Sequence, residues 1–103
     1  ARGRTMKYYK FRVSGDSMLP LIRPDQVVYV CPNEQRCFEV GDIVVFRKQT
    51  FRCHRIIKRL VLNGRQIYVT KGDNTSEIDN YFVTENEIIG RVATVNPSVD
   101  RDE

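Results

Sequence analysis

The sequence predicts a small, mainly β domain, built as a strongly bent antiparallel sheet or a partly open barrel. Five segments rich in Val, Ile, Tyr and Phe (residues 27–31, 42–46, 51–61, 66–70 and 88–95) are each bounded by turn residues. Helical periodicity is nearly absent, the exception being a turn around residues 18–22 that Pro20 limits. With 103 residues, 41% of them hydrophobic, and a mean hydropathy of −0.44, the chain has enough material for one core and not for two.

In chain order, residues 1–10 form a basic arm. Residues 1–12 carry Arg2, Arg4, Lys7, Lys10 and Arg12 without an acid, interleaved with Tyr8, Tyr9 and Phe11. The domain proper is expected over residues 11–96, with 97–103 as a frayed tail. Ser14-Gly15-Asp16-Ser17-Met18-Leu19-Pro20 predicts a sharp turn, because its serine is flanked by Gly, Met and Pro. Pro24-Asp25 and Gly41-Asp42 mark further turns. Asn63-Gly64 predicts a β-hairpin, since both residues tolerate the positive φ of a type I′ turn. Alternation along residues 51–58 puts Phe51, Cys53 and Ile57 on one face, and Arg52, His54, Ile56 and Lys58 on the other. That mixed second face suits a histidine lining a cleft better than one buried for structure.

Charge is unevenly spread. The formal net charge is +4; residues 43–72 hold eight Lys/Arg and no acid, and residues 73–87 hold five acids and no base. Solvated strand faces account for such blocks in the ordinary case. Contact of the arm with nucleic acid or with an anionic membrane surface is the functional alternative. No apolar run approaches the ~20 residues that cross a bilayer, and no secretory apolar region follows the basic N-terminus, so the chain as given is expected to be soluble. The three cysteines cannot all pair within one chain. Cys53 reads as core, while Cys31 and Cys37 flank a polar loop and would bridge only in an oxidising compartment. With one histidine and no C-x-x-C, neither a metal nor a cofactor is expected.

Ser17 and the only histidine, His54, supply a nucleophile and a base suited to proton transfer near neutral pH. Lys71-Gly72-Asp73-Asn74-Thr75-Ser76-Glu77-Ile78-Asp79 adds two carboxylates, Asp73 and Asp79, that could orient the imidazole. The set suggests a Ser-His-Asp hydrolase, although the order of a triad along the chain is not diagnostic. Each residue alone has a plainer explanation: Ser17 as a turn serine, His54 as a surface histidine, Asp73 as a turn former. Lys58 and Lys71 are the alternative bases, since a desolvated lysine serves in Ser-Lys enzymes.

In these stretches the sequence resembles type I signal peptidases, particularly the archaeal and endoplasmic-reticulum kind that use histidine in place of lysine. Ser14 to Pro20 resembles the nucleophile box, and Val40-Gly41-Asp42-Ile43-Val44-Val45-Phe46 the strand after it. Cys53-His54-Arg55-Ile56-Ile57-Lys58 resembles the histidine box, Thr70-Lys71-Gly72-Asp73-Asn74 with Asp79 the acidic box, and Ile88-Ile89-Gly90-Arg91-Val92 the closing strand. Gly-Asp-Ser-Met also resembles self-cleaving repressors of the Ser-Lys type. The resemblance implies a sheet of signal-peptidase or repressor-protease type and an endopeptidase that removes leader or signal peptides after small residues. It implies Ser17 as nucleophile, His54 as base and Asp79 as the acid of the triad, with Asp73 as a secondary acid or structural turn. The Ser17 N–H, with the Ser14 hydroxyl second to it, would hold the oxyanion. The implied partner is a preprotein that adds as a strand to the sheet edge, and the implied location is the extracytoplasmic side of a membrane. Without the resemblance, a cytoplasmic location and a catalytically silent domain that binds peptide or nucleic acid remain open. Asp79 is followed by Asn80-Tyr81, where the family often has an Arg nearby.

Overall fold

The computed structural model describes residues 7–33 and 37–94, which form one curled, antiparallel, seven-stranded half-barrel. Residues 1–6 of the arm, residues 34–36 of the polar loop, and residues 95–103, including the expected tail, lie outside the described residues. The strands are β1 (Tyr9–Arg12), β2 (Val27–Pro32), β3 (Ile43–Lys48), β4 (Thr50–Leu62), β5 (Arg65–Lys71), β6 (Phe82–Thr84) and β7 (Ile88–Thr94), in sheet order β1-β2-β7-β3-β4-β5-β6. β1 takes in Tyr9 and Lys10, which charge alone groups with the arm, and pairs them with Val30 and Tyr29. Neither β1 nor the three-residue β6 is long enough for alternation to reveal it in the sequence.

The long hairpin of β4 and β5 turns at Asn63 and Gly64, whose φ values of 52° and 77° are both in the left-handed region. β3 is buried on both faces, so its apolar residues run unbroken instead of alternating. Ile43 and Val45 join one core cluster with Met18, Ile22, Val28 and Cys53. Val44 and Phe46 join a second with Ile56, Tyr68, Val83 and Ile88. Each such side chain, fully buried, stabilises the fold by about 1.5–3 kcal/mol.

β4 departs from the simple alternation expected of it. Its register with β5 slips between Ile56 and Lys58, which leaves Ile57 as the extra residue of a β-bulge. Ile56 is therefore fully buried, Ile57 is exposed, and of the face expected from Phe51, Cys53 and Ile57 only Cys53 reaches the core. The face of His54 is more core-like than the sequence suggests, because the Phe46 ring meets the imidazole edge-on at 6.2 Å. All three cysteines are free thiols, with Cys53 buried and Cys37 exposed. Among the described residues, no helix is long and apolar enough to cross a membrane.

Candidate active site

Ser17 is presented by a turn that two buried side chains hold down. Gly15 has φ 77°, a conformation that a side chain resists, and it reverses the chain just before Asp16. The Leu19 N–H donates to the Asp16 carbonyl at 3.2 Å and the Ile22 N–H to the Met18 carbonyl at 3.0 Å, closing the turn. Met18 and Ile22 are wholly buried in the first core cluster, so Ser17 stays half-exposed beside a fixed anchor. Among the described residues, the Ser17 N–H donates to no backbone carbonyl.

His54 comes from β4, opposite Val44 of β3. Its Nε2 lies 3.0 Å from Ser17 Oγ, and its Nδ1 lies 2.7 Å from Asp79 Oδ2. The side chains of His54 and Asp79 are only 12% and 14% exposed. A carboxylate accepts only, so Nδ1–H donates to Asp79 and Nε2 is left to accept the serine hydroxyl. The imidazole thus meets Ser17 on one side and, of the two aspartates, Asp79 and not Asp73 on the other.

Among the described residues, no arginine pairs with Asp79. The Thr70 hydroxyl donates to the same Oδ2 at 2.6 Å, and the Asp79 N–H donates to the Thr70 carbonyl at 2.8 Å. Tyr81 packs nearby against Phe46, and its phenol is pushed up by burial first and then by the Asp79 charge.

Asp73 has a different task. Its two oxygens accept from Nε and NH2 of Arg55, both at 2.8 Å, in a bidentate ion pair. The Arg55 guanidinium holds the Asp73 carboxyl below its ordinary value, and the same bond raises Arg55. The turn around Asp73 is a buttress for the nucleophile: the Asn74 N–H donates to the Ser17 carbonyl at 2.7 Å and Asn74 Nδ2 to the Asp16 carbonyl at 3.1 Å. Gly72 must be glycine for lack of space, since a Cβ there would sit 2.7 Å from the Ser17 carbonyl oxygen. Arg55, one residue past His54, thus ties the histidine strand to the serine turn through Asp73.

The remaining candidates fall into place around this relay. Ser14 lines the same cleft as Ser17 and His54, a space of about 140 Å³ bordered also by Phe11, Phe51 and Arg52. Lys71 donates to the Gly72 carbonyl at 2.9 Å, and Lys58 is exposed beyond the bulge. The Cys53 thiol, next to His54, is pushed up to about 12 by burial and then by the Asp73 charge, so it stays protonated. β4 pairs with β5 only from Arg55 onward, and residues 50–54, which line the cleft, pair with β3 alone. Among the described residues, no three or more His, Cys, Asp or Glu side chains gather as metal ligands would.

Thr70, Arg55, Gly72 and Asn74 were assigned no role by the sequence, although all four lie in or beside the boxes. One signal was available. Counting outward from Asn63-Gly64 along the hairpin brings Thr70 level with residues 56–57, next to the histidine.

No curated protein matches the chain. A family match runs without interruption from residue 3 to residue 93, and so takes in the serine turn, both strands of the hairpin, the two acids and the closing strand together. On that span the chain belongs to the Peptidase S24-like family, which includes serine peptidases and self-cleaving repressors.

Proposed function

We propose that the chain is a serine endopeptidase of signal-peptidase type, which removes a leader or signal peptide from a preprotein after small residues. The observation that carries this is the continuous path Ser17 Oγ–His54 Nε2 at 3.0 Å and His54 Nδ1–Asp79 Oδ2 at 2.7 Å. Ser17 Oγ attacks the scissile carbonyl carbon while His54 Nε2 takes its proton. The Ser17 N–H, supported by the Ser14 hydroxyl, receives the oxyanion; removing one such donor typically costs ~10²–10³ in kcat. Collapse of the tetrahedral intermediate breaks the C–N bond, and His54 gives its proton to the leaving amine. A water deprotonated by His54 then hydrolyses the acyl-serine. Asp79 keeps the tautomer and stabilises the imidazolium in both halves.

Histidine in place of lysine as the partner of Ser17 supports the histidine-type signal-peptidase branch over the Ser-Lys repressors. The free edge at residues 50–54 supports a substrate that adds as a strand, with main-chain hydrogen bonds for affinity and alternate side chains in pockets. The cleft, about 140 Å³, is well below the ~300–1,000 Å³ of pockets that hold drug-sized ligands, in keeping with small side chains at the cut. The preprotein would meet the enzyme at the extracytoplasmic face of a membrane.

Incubation with a signal-peptide-bearing preprotein, followed by mass mapping of the products, tests this. The expected result is one cut after a small residue, lost in Ser17→Ala at unchanged melting temperature. Cleavage by Ser17→Ala at more than a few per cent of the wild-type rate removes Ser17 as nucleophile. A cut confined to the chain itself would point to the self-cleaving members of the family.

A further inference from the structure

We infer that Thr70 is a positioning residue of the proton relay, holding Asp79 in the plane of the His54 imidazole with a neutral hydrogen-bond donor. This rests on the Ser17–His54–Asp79 reading above. Thr70 is fully buried and, among the described residues, is the one buried polar residue. An ionised carboxylate accepts only, so the 2.6 Å contact is Thr70 Oγ1–H donating to Asp79 Oδ2. The same oxygen receives His54 Nδ1 at 2.7 Å, and two donors on one oxygen fix its position. The Thr70 carbonyl also accepts the Asp79 N–H at 2.8 Å, so one residue pins both the backbone and the side chain of the acid.

The sheet sets this geometry. Thr70 pairs with Ile56, two residues beyond His54 on the adjacent strand, so β4–β5 register places the carboxylate relative to the imidazole. Filling the core needs no hydroxyl at this site: valine has nearly the same shape and no donor. Choice of donor matters as well. An arginine would orient the carboxylate but would spend its charge, whereas a threonine orients it and leaves the charge for the imidazolium that forms during reaction.

Cleavage of a preprotein with alanine at the cut, measured on steady-state kinetics beside thermal melts, separates positioning from packing. Thr70→Val should lower kcat by about 10–100-fold, the kinetic equivalent of one hydrogen bond to a charged group, with KM and melting temperature little changed. Thr70→Ser, which keeps the hydroxyl, should stay within about threefold of wild type. In an Asp79→Asn background Thr70→Val should add less than about twofold, because it acts through Asp79. If Thr70→Val does not fold, Thr70→Ala against Thr70→Ser asks the same question. Wild-type kcat in the valine variant, a serine variant as poor as valine, or losses that multiply in the double variant would each overturn the inference. An Asp79→Asn enzyme with wild-type kcat would instead remove the triad reading, and this inference with it.

Discussion

Two aspartates follow β5 in the same connection, six positions apart, and they are held in opposite ways. Asp73 is gripped by a cation: Arg55 neutralises it, and its side chain is 22% exposed. Asp79 is gripped by a hydroxyl and an imidazole, with its side chain 14% exposed and no Lys or Arg within ion-pair distance among the described residues. A carboxylate already paired with guanidinium has little left to offer a charge that appears later. One oriented by neutral donors keeps its full attraction for an imidazolium, and the low dielectric of a nearly buried site enlarges it. The holder, more than the acid itself, decides how much of its charge a carboxylate can offer to a neighbour.

The largest effect should come from the acid with neutral partners. Asp79→Asn is expected to lower kcat by up to ~10⁴ at nearly unchanged melting temperature, because the amide favours the wrong imidazole tautomer. An Asp79→Asn enzyme within threefold of wild type, beside a dead but folded Asp73→Asn, would exchange the two roles. Next in size is Gly72→Ala. Its Cβ would meet the Ser17 carbonyl, so the serine turn must shift, and a displacement near 1 Å can cost ~10² in rate. Normal kinetics in that variant would show that the Asp73 turn does not position the nucleophile.

The smallest effect, on stability alone, belongs to the cation-paired acid. Asp73→Asn should destabilise the domain by about 1 kcal/mol at neutral pH and change kcat by no more than a few fold. Its pH dependence follows from the Arg55 bond. Because the folded-state pKa of Asp73 lies below its ordinary 3.8, the stabilisation is fully present above that value and is lost as pH falls through the folded-state pKa. The gap in melting temperature between wild type and Asp73→Asn should therefore close on acidification. A gap that persists after the carboxylate is protonated would mean that the ion pair is not its source.

The fold was legible where local chemistry decides it. Asn63-Gly64 can do little except turn a hairpin, and the unbroken Ile43-Val44-Val45-Phe46 can only be buried on both faces. Ser17, His54 and Asp79 were legible as candidates through their boxes, and the structure sets Ser17 and Asp79 each at hydrogen-bond distance from His54. What the sequence concealed depends on register. The bulge at Ile57 has no residue signature of its own, yet it buries Ile56 and sets Thr70 beside the relay. The Arg55–Asp73 pair was hidden for a similar reason, since Arg55 reads as solvated charge and Asp73 as a turn former until the curl of the sheet brings their segments together. Asn80-Tyr81 offers no arginine to hold Asp79; Thr70 on β5 holds it instead.

The strand order has a consequence for how the protein is made. β7 comes last of the described strands in the chain, yet it sits at the centre of the sheet, hydrogen-bonded to β2 on one side and β3 on the other. A nascent chain that has emerged only as far as Asp79 holds every member of the relay and still lacks the strand that joins the serine-bearing portion to the histidine-bearing hairpin. Until the ribosome releases that last strand, β1–β2 and β3–β6 have no direct strand pairing with each other. Ser17 and His54 thus lie on two portions of the sheet that share no strand pairing except through β7, the last of the described strands in the chain.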